Sequence, residues 1–366
     1  MEHIPFNNLK YQDSKIRKEL ELTFQQVLEE GQFIGGARVT EFENQFSEYT
    51  GTENVIPCGN GSDAMELILR GLDIGLGDEI ILPANGHFST YEAIVHVGAK
   101  AIMVDIDPLL QIDPEAVEPK ISSKTKAIVA VHMHGNLADL TALQQLTKKH
   151  DLYLIEDCAQ AAGAIYLYRQ AGTIGDAAAF SFYPTKNLGA YGDAGAITTN
   201  KSDLAKICRL MANHGEISKN KHILVGSNSR MDSMQAAFLS VKLKYLTEWN
   251  DQRIQIAKIY DQLLSDLPVQ KPKPRADCKH VYHLYVIQVD RRDQIISEFM
   301  HQQIGYSIHY PEIIPATTAV KPLGYDPKDY PRAFKASNEM ISLPLFLGIT
   351  RSQQEKVAEA IKVCYG

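Results

Sequence analysis

Between Asn54 and His214 the chain alternates short, almost wholly apolar runs with longer stretches whose apolar residues recur every three or four positions. The short runs are Val55–Cys58, Glu79–Leu82, Ala101–Asp105, Ala127–His132, Leu152–Asp157, Ala178–Phe182 and Ala194–Thr199. Runs of this length without polar alternation predict strands buried on both faces. Thr90–Val97, Pro114–Lys120, Leu140–His150 and Asp203–His214 lie between them and read as helices. Strand and helix in regular alternation predict an α/β fold, a mostly parallel sheet sandwiched by helices. Ligands of such sheets sit at the carboxyl ends of the strands.

Upstream, Ile16, Leu20, Val27 and Leu28 predict a helix over Asp13–Glu30, stopped by Gly31. A second helix follows, with Thr40 as its N-cap, Phe42, Phe46 and Tyr49 on one face and Gly51 beyond its end. A third is expected over Ala64–Leu72, with Asp63 and Glu66 at capping-box spacing. Downstream, one long helix over Ser233–Leu264 leads to Pro268-Val269-Gln270-Lys271-Pro272-Lys273-Pro274, a linker-like stretch. Beyond it Val281–Val289 and Tyr306–Tyr310 read as strands, and Arg292–Gln303 and Gln353–Val363 as helices. The expected organisation is a large domain over residues 1–250 and a smaller C-terminal α+β domain over 251–366.

A chain of 366 residues is long enough for two such cores. The net charge of −7 speaks against nucleic acid or an anionic membrane surface as a partner. No apolar run approaches bilayer length, and Met1–Phe6 shows no basic segment before an apolar one, so a cytoplasmic location is expected. The five cysteines are scattered and form no CxxC pair, which suggests neither a zinc site nor a disulfide framework.

Chemistry concentrates at the predicted strand ends. Phe180-Ser181-Phe182-Tyr183-Pro184-Thr185-Lys186 delivers a lysine from a buried strand into a loop rich in Gly and Pro. Partial desolvation there lowers an amine pKa and frees a nucleophile, although most lysines are solvated surface charges. Asp157 ends another strand, where a carboxylate either serves chemistry or merely caps a helix. Gly59-Asn60-Gly61-Ser62-Asp63 opens a helix after a strand, which is an anion site or a plain capped turn. It is no P-loop, because no Gly-Lys-Ser/Thr follows, and the Rossmann fingerprint is absent. His87 leaves a third strand end, placed to stack on a planar ligand or simply to hydrogen-bond. Pyridoxal phosphate asks for all four: a lysine for covalent attachment, an acid at the ring nitrogen, an anion site and a flat neighbour. His132 and His134 resemble a metal pair, but with no carboxylate set nearby hydrogen-bonding roles are expected. Trp249 is assigned to an interdomain or dimer seam.

At these residues the sequence resembles the DegT/DnrJ/EryC1/StrS sugar aminotransferases, which are fold-type-I pyridoxal phosphate enzymes. The resemblance spans nearly the whole chain. It rests on Ile34-Gly35-Gly36, Asn60-Gly61-Ser62-Asp63-Ala64, Gly77-Asp78-Glu79, Glu156-Asp157-Cys158-Ala159-Gln160, Ser181 to Gly189, Asn228-Ser229-Arg230-Met231-Asp232 and His309-Tyr310-Pro311. It implies pyridoxal phosphate, with pyridoxamine phosphate as its aminated form, attached through Lys186. It further implies Asp157 at the ring nitrogen and Gln160 near the phenolic oxygen. Gly61, Ser62, Asp63 and Ser181 would hold the phosphate, joined by Asn228 from a partner subunit. His87 takes the stacking position, and Arg230, His309 and Tyr310 lie near the substrate. The implied assembly is a homodimer with shared active sites, and the implied substrates are L-glutamate and a nucleotide-linked keto sugar.

The Lys186–Gly195 loop resembles members that aminate C3 of a keto sugar, and Asn213-His214-Gly215 and Val225–Arg230 resemble enzymes acting on UDP-linked 3-keto sugars, including 2-acetamido-3-keto-glucuronate; the implied substrate is a UDP- or dTDP-linked keto-hexose. Amination at C4 and a sugar dehydratase on the same fold are the alternatives; in the dehydratases His replaces the lysine, and Lys186 speaks against that reading. A DNA-binding regulator would need a basic recognition helix, which the acidic chain does not display. Two departures from the family pattern, Gly86-His87 and Glu312-Ile313-Ile314-Pro315, bear on the identity of the sugar.

Overall fold

The computed structural model describes residues 3–366. Its first strands are β1 (Asn54–Cys58), β2 (Glu79–Pro83), β3 (Lys100–Val104), β4 (Thr125–Val131) and β5 (Tyr153–Asp157). A small hairpin, β6 (Ile165–Tyr166) and β7 (Arg169–Gln170), precedes β8 (Ala177–Ser181) and β9 (Gly195–Thr199). The larger strands form one seven-stranded sheet in the order β1-β9-β8-β5-β4-β2-β3. From β3 to β8 the neighbours are parallel; only β9 runs the other way, between β8 and β1.

Successive strand residues alternate between two cores. Ile80, Leu82, Ala127, Val129, Ile155, Ala177 and Ala179 face one, and Ile81, Ile128, Ala130, Leu154, Ala178 and Phe180 face the other. Both faces are covered, which is why no polar alternation marks these strands in the sequence. The helices are α1 (Leu9–Glu30), α2 (Ala37–Thr50), α3 (Gly61–Gly71), α4 (Phe88–His96), the short α5 (Pro114–Val117), α6 (Leu140–His150) and α7 (Ser202–Ala212). Phe42 and Phe46 of α2 meet Phe180 and Phe182 edge-on at 5.1–5.5 Å, closing one face beneath the strand that leads to Lys186. Truncating Phe180 would cost about 3–5 kcal/mol.

The C-terminal half adds a hairpin, β10 (Glu216–Ser218) and β11 (Lys221–His222), then α8 (Ser233–Leu243), α9 (Leu246–Leu263), β12 (Cys278–Lys279) and β13 (Tyr285–Gln288). After these come α10 (Arg292–His301), α11 (Pro331–Glu339), β14 (Met340–Leu343) and α12 (Arg351–Val363). β13 and β14 form an antiparallel pair with its own core, which includes Tyr260, Tyr285, Phe299, Ile341 and Ile361. Leu284, Val286 and Met340 instead join the core of the large sheet, so packing runs continuously from one unit into the other.

Several elements differ from the sequence expectation, each for a local reason. Thr40 lies inside α2: its amide bonds the carbonyl of Gly36, which is the N-cap, with φ +77°. Asp63 is not the cap of α3, because the side chain of Asn60 accepts from its amide at 2.8 Å and starts the helix at Gly61. The expected long helix breaks at Lys244-Tyr245, where Tyr245 makes a tight turn onto Lys242 and its ring stacks on Trp249 at 5.7 Å. That break seats Trp249 with Ile16, Leu20, Val241 and Leu347 in a core of its own. Tyr306–Tyr310 is no strand; Ser307 alone bridges Ser342 before the chain turns into the site. The stretch around Pro272 is docked rather than a free linker, since Gln270 pairs with Gln288 and Lys273 accepts from Asn136.

Candidate active site

The carboxyl ends of β1, β2, β4, β5 and β8 lie along one edge of the sheet, and the loops leaving them enclose a cavity of about 580 Å³. Because β9 returns antiparallel to β8, the intervening loop with Lys186 folds back over that edge. The cavity lining includes Gly61, Ser62, Asp63, His87, Asp157, Gln160, Ser181, Lys186, His309 and Tyr310. Asn228 and Arg230 are exposed elsewhere; Asn228 lies beside Ser227 and Ser229, and Arg230 bonds Asn213 at 3.0 Å.

At the floor, Asp157 is held by two donors. Thr90 Oγ1 donates to Oδ2 at 2.7 Å and the Ala159 amide to Oδ1 at 3.1 Å. Thr90, in the first turn of α4, is a site residue that sequence reading missed; the helix begins at Phe88, and nothing local shows that its first turn faces β5. Gln160 is oriented from both ends, accepting from the His134 amide at 2.6 Å and donating to the Tyr310 hydroxyl at 3.2 Å. His87 caps α4: the Ser89 amide donates to its Nδ1 at 3.2 Å, and its ring meets Tyr310 edge-on at 5.3 Å. Burial and the nearby Lys186 charge hold the His87 imidazole below its ordinary pKa.

At the other end, α3 points its first amides into the cavity. Gly61 packs so closely on Ser181 that an added Cβ would sit 2.8 Å from Ser181 Cβ, so only glycine allows this approach. Among the described residues, no group accepts from the amides of Gly61 and Ser62. With the Ser62 and Ser181 hydroxyls they form a donor cluster at a helix N-terminus, the chemistry an anion requires. Asp63 departs from the expectation of a phosphate ligand. Its amide is taken by Asn60 and its carboxylate by the Ser229 hydroxyl at 2.7 Å, which also accepts from Gly59. It braces the turn instead.

Lys186 lies between these ends. Burial lowers its amine from 10.5 to about 8, with the Asp157 charge pulling the other way. Among the described residues no group hydrogen-bonds its Nζ. His309 is held by Ser342 at 2.8 Å, stacks on Phe6 at 5.9 Å and is lowered by burial to about 4. Tyr183, Thr185, Asp193 and His283 also line the cavity and had no separate signal in the sequence.

His132 and His134, in the turn that follows β4, have the hydrogen-bonding roles expected of them, His134 Nε2 meeting the His309 carbonyl at 3.2 Å, but the premise that no carboxylate lies nearby is corrected by Glu156. It accepts from His132 at 3.0 Å and from the amides of Gly172, Ile174 and Gly175. Its oxygens are filled by these four donors. The adjacent Cys158 thiol is held well above its usual pKa by burial, so this trio reads as a structural knot rather than a metal site.

Residues 14–362 match the model of the DegT/DnrJ/EryC1/StrS aminotransferase family. The chain belongs to that family. It is 40% identical to a "Pleiotropic regulatory protein" of Geobacillus stearothermophilus, covering 99% of each chain. It is also 40% identical to the dTDP-3-amino-3,6-dideoxy-alpha-D-galactopyranose transaminase of Aneurinibacillus thermoaerophilus, covering 98% of each. Among solved structures, that of DesV from S. venezuelae superposes with a TM-score of 0.97 at 35% identity, over 99% of this chain and 98% of that one. The PLP-form structure of a "Putative sugar aminotransferase" from Streptococcus pneumoniae is similar at 27% identity and a TM-score of 0.90, over 94% of this chain and 95% of that one. The chain is therefore a pyridoxal phosphate-dependent sugar aminotransferase, and the donor cluster, held carboxylate and half-buried lysine of the cavity fit that cofactor. Among the described residues no helix is long and apolar enough to cross a membrane.

Proposed function

We propose that the chain transfers the amino group of L-glutamate to the C3 keto group of a nucleotide-linked hexose, as a homodimer supplying amino sugars for a surface polysaccharide. The observation that carries this reading is the single cavity in which Lys186, Asp157, Ser62 and Ser181 converge while Asn228 and Arg230 stay outside. When bound, pyridoxal phosphate supplies the carbonyl that takes up the amine and the ring that accepts electrons from the adjoining carbon. Lys186 is the attachment point and moves the proton at its Nζ in both half-reactions. Asp157, held by Thr90 and Ala159, stays positioned to keep a ring nitrogen protonated. Gly61, Ser62 and Ser181 hold the phosphate, and the His87 ring and Gln160 fix the plane between them. His309 and Tyr310 face the sugar.

The homodimer reading is supported by the two residues left outside the cavity of their own chain. Asn228 and Arg230 serve the partner's cavity, each site then being completed across the interface. In solution the protein is cytoplasmic, with residues 1–250 and 251–366 as its two domains. C3 is supported by the resemblance of Lys186–Gly195 and by the 3-amino product named for the Aneurinibacillus relative.

A panel of UDP- and dTDP-linked 3-keto and 4-keto sugars, each assayed for glutamate-dependent amination, tests the substrate; turnover of 4-keto sugars alone refutes C3. Adding L-glutamate to the holoenzyme moves its visible absorbance to the near ultraviolet, and an unchanged spectrum refutes the donor. Co-expressing Lys186→Ala chains with Asn228→Ala chains tests the shared site. Mixed dimers regain activity that neither parent has, and no recovery refutes the exchange.

A further inference from the structure

The corner between β2 and α4 carries Gly86-His87, one of the two departures from the family pattern, and it fixes the His87 ring through the first turn of the helix. The Ser89 amide donates to Nδ1 at 3.2 Å, and the Ser89 hydroxyl lies 2.7 Å from the same nitrogen. The His87 carbonyl accepts from the Thr90 amide at 3.2 Å, and the Thr90 hydroxyl is the group that holds Asp157. One turn of helix therefore sets both the ring and the carboxylate.

A backbone amide can only donate, so Nδ1 must keep its lone pair, and the Ser89 hydroxyl must donate to it as well. A proton on Nδ1 would set hydrogen against hydrogen and undo the cap of α4. The neutral ring therefore carries its hydrogen on Nε2. Burial and the Lys186 charge favour that neutral ring, against the pull of Asp157 and Glu92. The side chain lines the cavity and is exposed, and among the described residues no group accepts from Nε2. Its neighbour there is Tyr310, whose ring it meets edge-on at 5.3 Å. A phenyl ring in this place could stack on a planar cofactor equally well but would donate nothing. The N–H is what histidine adds.

We propose that His87 is a specificity-determining residue for the sugar: its Nε2–H, left free because Nδ1 is committed to the cap of α4, donates a hydrogen bond to a hydroxyl oxygen of the keto sugar beside Tyr310. No proton is transferred; the hydrogen stays on Nε2, and Lys186 moves the proton of the reaction. A neutral N–H matches a neutral hydroxyl, whereas the carboxylates of the amino donor call for a charged partner. This rests on the keto-sugar reading of the cavity.

The test measures the two half-reactions of the full-length holoenzyme separately: the pyridoxal phosphate form with L-glutamate, and the pyridoxamine phosphate form with the keto sugar that the panel identifies. The ratio of their second-order rate constants cancels whatever affects both. His87→Phe keeps a flat ring and loses cap and donor. His87→Asn keeps a capping oxygen and loses ring and donor. His87→Gln loses ring and cap but offers an amide N–H in place of Nε2. The sugar-to-glutamate ratio should fall about tenfold in His87→Phe and His87→Asn, the worth of one neutral hydrogen bond, and stay close to wild type in His87→Gln. A ratio kept in His87→Phe would leave only the flat ring, and one kept in His87→Asn only the cap; either result, or a ratio that falls in His87→Gln, overturns the proposal. If the variants do not load cofactor, 15N-histidine spectra of the cofactor-free wild type decide, the His87 signals being assigned by their loss in His87→Asn: an Nε2–H ring supports the proposal and an Nδ1–H ring overturns it. A wild type that aminates no sugar of the panel sinks the keto-sugar reading and this proposal with it, a result distinct from unchanged ratios in an enzyme that turns over.

Discussion

Two desolvated lysines, Lys186 half-buried and Lys242 buried, stand on either side of one loop, and their difference separates a reactive group from a structural one. Lys186 and Lys242 are both held below the ordinary lysine pKa, and for both burial is the largest cause. Lys242 is answered on every side: it donates to the Gly189 carbonyl at 2.9 Å, lies 3.5 Å from Asp13 and sits 3.6 Å from the centre of the Tyr191 ring. Lys186 has the Asp157 charge nearby but no described hydrogen-bond partner at Nζ. A buried ammonium with partners is a clamp, whereas one without them carries its desolvation cost into the site. Lys242 clamps residues 189–191, the same loop that carries Lys186.

The largest separation should appear in turnover. Lys186→Ala is expected to lower glutamate-dependent amination by about 10³-fold or more, since it removes the group that moves the proton. Lys242→Met should retain the visible absorbance of the holoenzyme and most of its activity. Comparable losses in both variants would erase the distinction.

Stability should move in opposite directions. An amine at about 8 in the folded chain and 10.5 unfolded leaves the unfolded state holding more protons between those values. Stability therefore rises with pH across that window, and below pH 8 the full penalty of about 3 kcal/mol is present. Lys186→Met should raise the melting temperature of the cofactor-free protein at pH 7, and the gain should shrink as pH climbs from about 8 toward 10.5. A gain independent of pH would mean packing rather than charge. Lys242→Met should lower stability by about 2 kcal/mol by stripping Asp13 and the Gly189 carbonyl of their donor. The smallest effect is Tyr191→Leu, which removes the ring beneath Lys242 and costs about 1 kcal/mol by denaturant unfolding.

Much of the fold was legible because its strands are short, apolar and evenly spaced by helices. The site was legible where its residues follow strand ends directly: Asp157 closes β5, Ser181 closes β8, and Gly61 and Ser62 follow β1 through Gly59-Asn60. Boundaries failed where a side-chain contact decided them, as with Asn60 capping α3 in place of Asp63. Thr90 was missed because its partner lies 67 positions away on another strand. The carboxylate beside His132 was missed for the same reason, Glu156 being 24 positions further on.

By itself the sequence determined the alternation that builds a covered parallel sheet, the lysine loop at its edge and the family to which the chain belongs, because these reside in local periodicity and contiguous motifs. Only the tertiary structure decided that Asp63 braces a turn, and that Asn228 and Arg230 lie away from the cavity of their own chain. It also decided which of two desolvated lysines has, among the described residues, no hydrogen-bond partner at its amine. Local dielectric and hydrogen-bond partners set those properties, and both come from residues far apart in the chain that meet only once it has folded.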